Sequence, residues 1–218
     1  LAVSDSILAV KHIRRLIMKN VLIATPALDT VDTCFYVSMV RLMQKHPEYD
    51  VLPEINSTIY HAKDSLAFYA MQNKYDYICF IDTDEVFEPD MIADLIRLDK
   101  DIVAGVCCKR AYPYEPMLFD LDMENEKNPW KLHEEVPKEL FQVDAIGGGA
   151  LLTIKTTALR KIYSCTGDLF YPINHWGEDL SFFYRAWQCG IKSYCDGTAM
   201  IGHRGVQTVM PYYWRGYK

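Results

Sequence analysis

The chain has 218 residues, half of them apolar, enough to bury one sizeable core or a compact core in two parts. Its 23 Lys and Arg stand against 29 Asp and Glu, and the net charge of -6 argues against a general nucleic-acid binder with a broad cationic face, though not against a local basic groove. The cysteines Cys34, Cys79, Cys107, Cys108, Cys165, Cys189 and Cys195 are odd in number and contain no C-x-x-C pair, so they read as reduced, mostly core thiols rather than a zinc ribbon or a disulfide framework.

Residues 1–17, LAVSDSILAVKHIRRLI, are amphipathic and read as an appended segment, a linker or a docking helix ahead of a domain spanning 18–218. The run NVLIATP predicts a strand buried on both faces, followed by a helix with Phe35, Met39, Leu42 and Met43 on one side. A second strand is predicted in YDVLPEI. After the capping candidates Asn56, Ser57 and Thr58, a helix repeats apolar residues at Ile59, Ala62, Leu66, Ala67 and Ala70. DYICFID is a third strand. Pro89 suits the first turn of a helix containing Ile92, Leu95 and Ile96, and DIVAGVCC is a fourth, buried strand. This alternation predicts an α/β sheet of parallel character over 18–108.

From 109 onward the rhythm changes. Residues 122–137 carry no clear period and read as a long loop or flap. LFQVDAI and GALLTIK are strand-like on either side of Gly147, Gly148 and Gly149. GEDLSFFYRAWQCG predicts a helix with Leu180, Phe183, Tyr184 and Trp187 on one face, ended by Gly190. IKSYC and TAMIGH are short strands. The aromatic tail MPYYWRGYK reads as packing against the domain, with an acceptor or membrane-surface contact as the alternative. No apolar stretch approaches the ~18 to 20 residues of a membrane span, and the first residues lack a cleavage pattern. The expectation is a cytoplasmic protein without a transmembrane segment.

The chemistry centres on Asp82-Thr83-Asp84, where an apolar strand leaves the core. If the strand extends that far, the two carboxylates leave the same face. Open α/β sheets bind ligands at this carboxyl edge, and carboxylate oxygens suit Mg2+ or Mn2+ shared with substrate phosphates. A helix-capping turn is the plain alternative. Asp82-Thr83-Asp84-Glu85-Val86 also fits the D-x-D-x-[TV] pattern of haloacid-dehalogenase-like phosphatases, but two β-α units precede it here, whereas that motif lies on the first strand. Glu178 and Asp179 open a helix, where ionised carboxylates are favoured.

Together with HWGEDLSFFYRAWQCGIKSYCDGTAMIGHRG, residues 175–205, the aspartate pair resembles the GT-A glycosyltransferases, especially inverting enzymes of the family 2 type. The shared order is a strand ending in D-x-D, a G-E-D triplet opening a helix, a Gly-ended helix, and a His after a late strand. The resemblance implies a GT-A, Rossmann-like fold: a mostly parallel central sheet flanked by helices, a smaller mixed sheet, a nucleotide-binding half at 18–108 and an acceptor half at 109–218. It implies that Asp82 meets the ribose or the metal shell, and that Asp84 and His203 ligate a divalent ion, with the imidazole tilting preference toward Mn2+ over Mg2+. Asp179 would be the base, with Glu178 the runner-up or acceptor-orienting residue. Thr25, Pro26 and Ala27, with Pro26 stopping the strand, would cup the nucleobase and ribose. Thr83 would join the donor contacts. Gly148 and Gly149 would line the donor sugar and acceptor, and Trp176 would offer an aromatic face to a sugar. Lys63, in Ala62-Lys63-Asp64 where the family often has Ala-Arg-Asn, would contact base or phosphate, or be a solvated lysine.

The implied activity is metal-dependent, inverting transfer of a sugar from a nucleoside-diphosphate donor, expected to be UDP-linked, to a hydroxyl on a glycan or other acceptor. The alternatives are a retaining GT-A enzyme and a non-catalytic sugar-nucleotide-binding module of a larger transferase. A nucleotidyltransferase is disfavoured, since its Gly-rich N-terminal signature with Arg and Lys is missing.

Overall fold

The computed structural model describes residues 19–125, 128–205 and 210–211. The expectations for residues 1–17, and those for the tail beyond Pro211, lie outside the described residues. Strand β1 (Val21–Ala27) is buried to Pro26 and leads to α1 (Thr33–Lys45), whose first turn is capped by the Asp32 carboxylate accepting from Cys34 N. The edge strand β2 (Asp50–Ile55) follows, then α2 (Ile59–Gln72). Strand β3 (Tyr77–Phe80) is wholly buried, as a continuous apolar run requires. After it come the two-residue β4 (Glu85–Val86), α3 (Met91–Arg97) and the buried β5 (Ile102–Val106).

The second half contributes β6 (Leu118–Leu121), β7 (Trp130–Leu132), β8 (Leu140–Val143), β9 (Ala145–Ile146) and β10 (Leu152–Lys155). Helices α4 (Thr156–Thr166) and α5 (Glu178–Gln188), then β11 (Ser193–Met200) and β12 (Gly202–His203), complete the described elements. The main sheet has the order β2-β1-β3-β10-β5-β11-β8. Strands β2, β1, β3, β5 and β11 run one way, while β10 and β8 run against them. Because β10 is inserted between β3 and β5, the two halves of the chain share one sheet and one core.

Several local expectations are corrected. Pro26 does not stop β1, which continues to Ala27. Beyond Ala24 the strand has lost its β3 neighbour and is paired only with β2, so a proline without an N–H is tolerated. Pro89 precedes the Asp90 cap of α3 and so lies outside its first turn. Thr58 is the N-cap of α2 but makes no side-chain capping bond, and Ile59, 39% exposed, is not part of the buried face. That face instead includes Lys63. Segment 122–137 is not all loop, since β7 pairs with β6 and buries Trp130.

Helix α4 was not expected, although Ala158, Leu159 and Ile162 are buried at helical spacing and Gly167, with φ 78°, ends it. On α5 the buried face is Phe182, Phe183 and Ala186, while Trp187 is 44% exposed. The smaller sheets, β12-β4 and β7-β6-β9, are antiparallel rather than mixed. IKSYC and TAMIGH resolve into one long strand, β11, with a register shift between Cys195 and Met200, plus β12.

That long strand depends on Gly197. A Cβ there would stand 1.6 Å from the Pro137 carbonyl oxygen, a backbone atom that cannot move aside, while Gly197 N donates to Glu139 O at 3.0 Å. Gly197→Ala is expected to cost about 2–3 kcal/mol, as overpacking against backbone does. Urea unfolding of the variant checks this, and a midpoint equal to wild type would contradict it.

Candidate functional site

Strands β1, β3, β5 and β11 end at one edge of the main sheet, and the residues singled out by sequence gather there. Strand β3 ends at Phe80, short of Asp82. Residues 82–85 form a turn in which Glu85 N donates to Asp82 O at 3.2 Å. The condition for both aspartates to leave one strand face therefore fails, and the turn sends their carboxylates into different surroundings. Antiparallel pairing of β12 with β4 sets His203 opposite Glu85, and Arg204 N donates to Asp84 O at 2.8 Å. This two-stranded ribbon brings the late histidine to the aspartate turn.

On one side of the turn stands a buried ion cluster. Lys63, 1% exposed, donates to Asp179 Oδ1 at 2.6 Å and to Glu178 Oε1 at 3.0 Å. Burial alone would lower the Lys63 ammonium, but the charges of Asp179, Asp82 and Glu178 outweigh it and hold it above its ordinary range. Lys63 is thus not a solvated lysine but is paired with the two carboxylates that open α5. Its neighbour Asp64 accepts from Phe170 N at 3.0 Å. Burial pushes the Asp82 carboxyl up to about 6, with Lys63 opposing and Asp179, Asp84 and Glu178 adding to the rise. Asp82 Oδ1 is buried and has no hydrogen-bond partner among the described residues.

The glycine segment closes over this cluster. Gly148, Gly149, Ala150 and Leu151 all have left-handed φ, of 70°, 75°, 52° and 53°. Such a conformation strains Ala150 and Leu151 by about 1–2 kcal/mol each, so it needs external anchors. Gly148 N donates to Asp179 Oδ2 at 3.0 Å, Ala150 N to Glu85 Oε1 at 2.5 Å, and Gly105 N to Ala150 O at 2.9 Å. A Cβ on Gly149 would lie 2.9 Å from both Asp82 Oδ2 and Glu85 Oε1, so glycine is what lets the loop rest on those two carboxyls.

Glu85, fully buried, was not singled out from sequence as a site residue. It accepts from Asp82 N as well, at 3.2 Å, and burial followed by the Asp82 charge pushes its carboxyl well above the usual range. Its position directly after the aspartate pair was the available signal.

On the other side of the turn, Asp84 Oδ2 lies 2.7 Å from Arg110 Nη1 and 3.4 Å from His203 Nε2. Burial works to raise the Asp84 carboxyl, but His203 and then Arg110 outweigh it and hold it below its ordinary range. His203 Nδ1 lies 2.8 Å from the Cys108 carbonyl oxygen, an acceptor only, so Nδ1 carries a proton. Nε2 then either donates to Asp84 as the imidazolium or, in the neutral ring, turns a lone pair toward the same oxygen. In the second state the Asp84 oxygen and the imidazole nitrogen, with a carbonyl orienting the ring from behind, are a pair of donors that a cation could share.

Asp84 and His203 therefore fit a divalent ion as two protein ligands of an open site. Among the described residues no three His, Cys, Asp or Glu side chains are grouped to hold a metal.

The remaining predicted residues are spread along the same edge. Thr25 and Pro26 are buried and Ala27 half-buried at the end of β1, and Thr25 Oγ1 has no hydrogen-bond partner among the described residues. The Thr83 carbonyl accepts from Asp32 N at 3.0 Å, and Asp32 Oδ2 lies 3.3 Å from Arg204 Nε, which ties the start of α1 to the turn. Trp176 is held edge-on between Trp130 and Tyr184, with centroids 5.9 and 5.2 Å away, in an aromatic cluster beside the G-E-D triplet.

The chain is a mixed α/β protein with a large, mostly parallel open sheet and polar residues converging on its carboxyl edge. No protein-family model and no curated protein matches it. Among solved structures, A197 from STIV is similar with a TM-score of 0.63 and 16% identity, over 89% of this chain and 91% of that one, which shows a common fold. A putative glucose-1-phosphate thymidylyltransferase from Bacillus anthracis, solved in complex with a sucrose, matches with a TM-score of 0.34 and 9% identity over 64% of this chain and 74% of that one, too slight a likeness to carry an argument. No helix among the described residues is long and apolar enough to cross a membrane.

Proposed function

We propose that the protein is a GT-A glycosyltransferase that moves a sugar from a nucleoside-diphosphate donor, UDP-linked in the first instance, to a hydroxyl acceptor with inversion at the anomeric carbon. The observation that carries this reading is the convergence of Asp84 and His203 on one side of Asp82, and of Glu178 and Asp179 on the other, with the Asp82 carboxyl feeling the charge of Asp84, Asp179 and Glu178 alike. A divalent ion held by Asp84 and His203, Mn2+ or Mg2+, would supply Lewis-acid stabilisation of the departing diphosphate. Asp179 takes the proton of the acceptor hydroxyl as its oxygen bonds to the anomeric carbon and the bond from that carbon to the diphosphate oxygen breaks. Lys63 and Gly148 N each occupy one Asp179 oxygen and so fix the carboxylate's orientation. An ionised carboxylate has about four acceptor sites, so one on each oxygen is left for the hydroxyl. Trp176 and Tyr184, both half-buried, offer aromatic surface nearby for a sugar ring, with the buried Trp130 packed behind Trp176.

One observation favours a second reading. Both Asp179 oxygens already accept strong hydrogen bonds, which suits a structural carboxylate in a retaining enzyme or in a non-catalytic nucleotide-sugar-binding module.

The first test is thermal stability in the presence of UDP, GDP, CDP and dTDP and their sugar conjugates, each with and without Mn2+. A ligand at a hundred times its Kd stabilises by about 2.7 kcal/mol. Stabilisation by one nucleotide only with metal present is the expected result. A response independent of metal, or none from folded protein, would remove the roles given to Asp84 and His203. Slow donor hydrolysis by the purified protein separates an enzyme from a binding module.

A further inference from the structure

Arg110 is the charged group at the candidate cation position that the proposed function leaves unused. Its Nη1 donates to Asp84 Oδ2 at 2.7 Å, the same oxygen that lies 3.4 Å from His203 Nε2. Its backbone lies in an anchored turn, and its exposed guanidinium is held by the ion pair with Asp84. Residues 109–115 turn back on themselves through Lys109 N to Glu115 O at 2.9 Å, Lys109 Nζ to Glu115 Oε2 at 2.8 Å and Tyr114 N to Ala111 O at 2.8 Å. The Arg110 side chain is 55% exposed. Its stem runs beside Gly205, where a Cβ would come within 3.3 Å of Cδ. The guanidinium is thus presented from a firm turn, and an exposed ion pair holds it to Asp84.

A divalent ion on Asp84 and His203 would meet this guanidinium at the shared oxygen, and two cations at one carboxylate oxygen repel. The ion pair with Asp84 is half exposed and inexpensive to break. The new negative charge beside the same ion would be the diphosphate it bridges, which a guanidinium fits with paired hydrogen bonds. We propose that Arg110 exchanges partners. It neutralises Asp84 before the cation arrives, and it grips the donor's diphosphate once the cation has taken its place. This rests on the reading of Asp84 and His203 as the cation ligands.

The test uses Arg110→Ala and Arg110→Lys in the full chain, with far-UV circular dichroism and the ligand-free thermal midpoint as folding controls. Free Mn2+ is titrated by electron paramagnetic resonance, first with no nucleotide. Nucleoside-diphosphate binding, with UDP, GDP, CDP and dTDP as probes, is then measured by calorimetry at saturating Mn2+. Removing the competing cation is expected to tighten Mn2+ binding by about threefold, as suits an exposed ion pair. Loss of a charge-assisted contact is expected to weaken diphosphate binding by about tenfold. Lysine, which keeps the charge but not the fork, restores both partway.

These opposite signs are the signature, because a merely structural role for Arg110 would move both affinities the same way. Unchanged affinities, or shifts in one direction, in an Arg110→Ala protein whose wild type binds metal and nucleotide would overturn the exchange and leave the site reading intact. Wild-type protein that binds neither Mn2+ nor any of the four diphosphates with Mn2+ would overturn both.

Discussion

Asp179→Asn is expected to slow sugar transfer by about two to four orders of magnitude, the usual contribution of a positioned general base. Binding of the nucleoside diphosphate and Mn2+ should be nearly unchanged, because Asp179 is not among the residues placed on the cation. The amide can still accept one of the two hydrogen bonds that the carboxylate takes from Lys63 and Gly148 N, so the variant is expected to fold. The measurement is single-turnover transfer, or donor hydrolysis where the acceptor is unknown, with the donor selected by the nucleotide panel and the product anomer read by NMR. Full activity with an inverted product would remove Asp179 as the base. Largely intact turnover with a retained anomer would instead establish the retaining variant, which uses the same metal site without this base.

The second large effect is on stability. Lys63→Met should destabilise the protein by about 3 kcal/mol, the lower end of what removing one partner of a buried ion pair costs. The lower end is appropriate because Glu178 and Asp179 keep 18% and 14% side-chain exposure, so solvent partly compensates their lost partner. For a chain of this length the melting temperature should fall by roughly 10 °C. The cost arises because three carboxyls, Asp82, Glu178 and Asp179, share this single buried ammonium. The Lys63→Met/Asp179→Asn double variant should therefore lose less than the sum of the single changes. Urea denaturation of the three variants gives the cycle. A Lys63→Met loss within about 0.5 kcal/mol of wild type, the range of ordinary surface changes, would show that the cluster is not an energetic unit.

Lys63 also marks the boundary of what local sequence can say. Sequence alone leaves Lys63 off the apolar face of its helix, as a donor contact or a solvated lysine, whereas the structure buries it beside Ala62 and Leu66. No local pattern points to Glu178 and Asp179, 115 and 116 positions later in the chain. The aspartate pair shows the same limit. The apolar run ahead of it announced a buried strand and a turn at its end, but whether the strand continues through Asp84 depends on pairing with β12, a segment far along the chain. Glu85 and Arg110 escaped notice because each looks like an ordinary charged loop residue until the strained Gly148–Leu151 turn or the Asp84 carboxylate is set beside it.

Sequence by itself determined the elements whose signal is local: the buried strands β1, β3 and β5 as unbroken apolar runs, the amphipathic helices α1 and α2, and a pair of acidic residues opening α5 after a glycine. It also placed the aspartates at the end of a strand, where an α/β sheet exposes its ligand-binding edge. Only the tertiary structure decided that β10 runs backwards between β3 and β5, that Asp82 and Asp84 face different partners, and that one buried lysine binds the two carboxylates of α5. The physical reason is that periodicity and turn chemistry act over a few residues of chain, whereas strand order and charge pairing are set by burial, which any compatible surface can satisfy until the whole core is assembled.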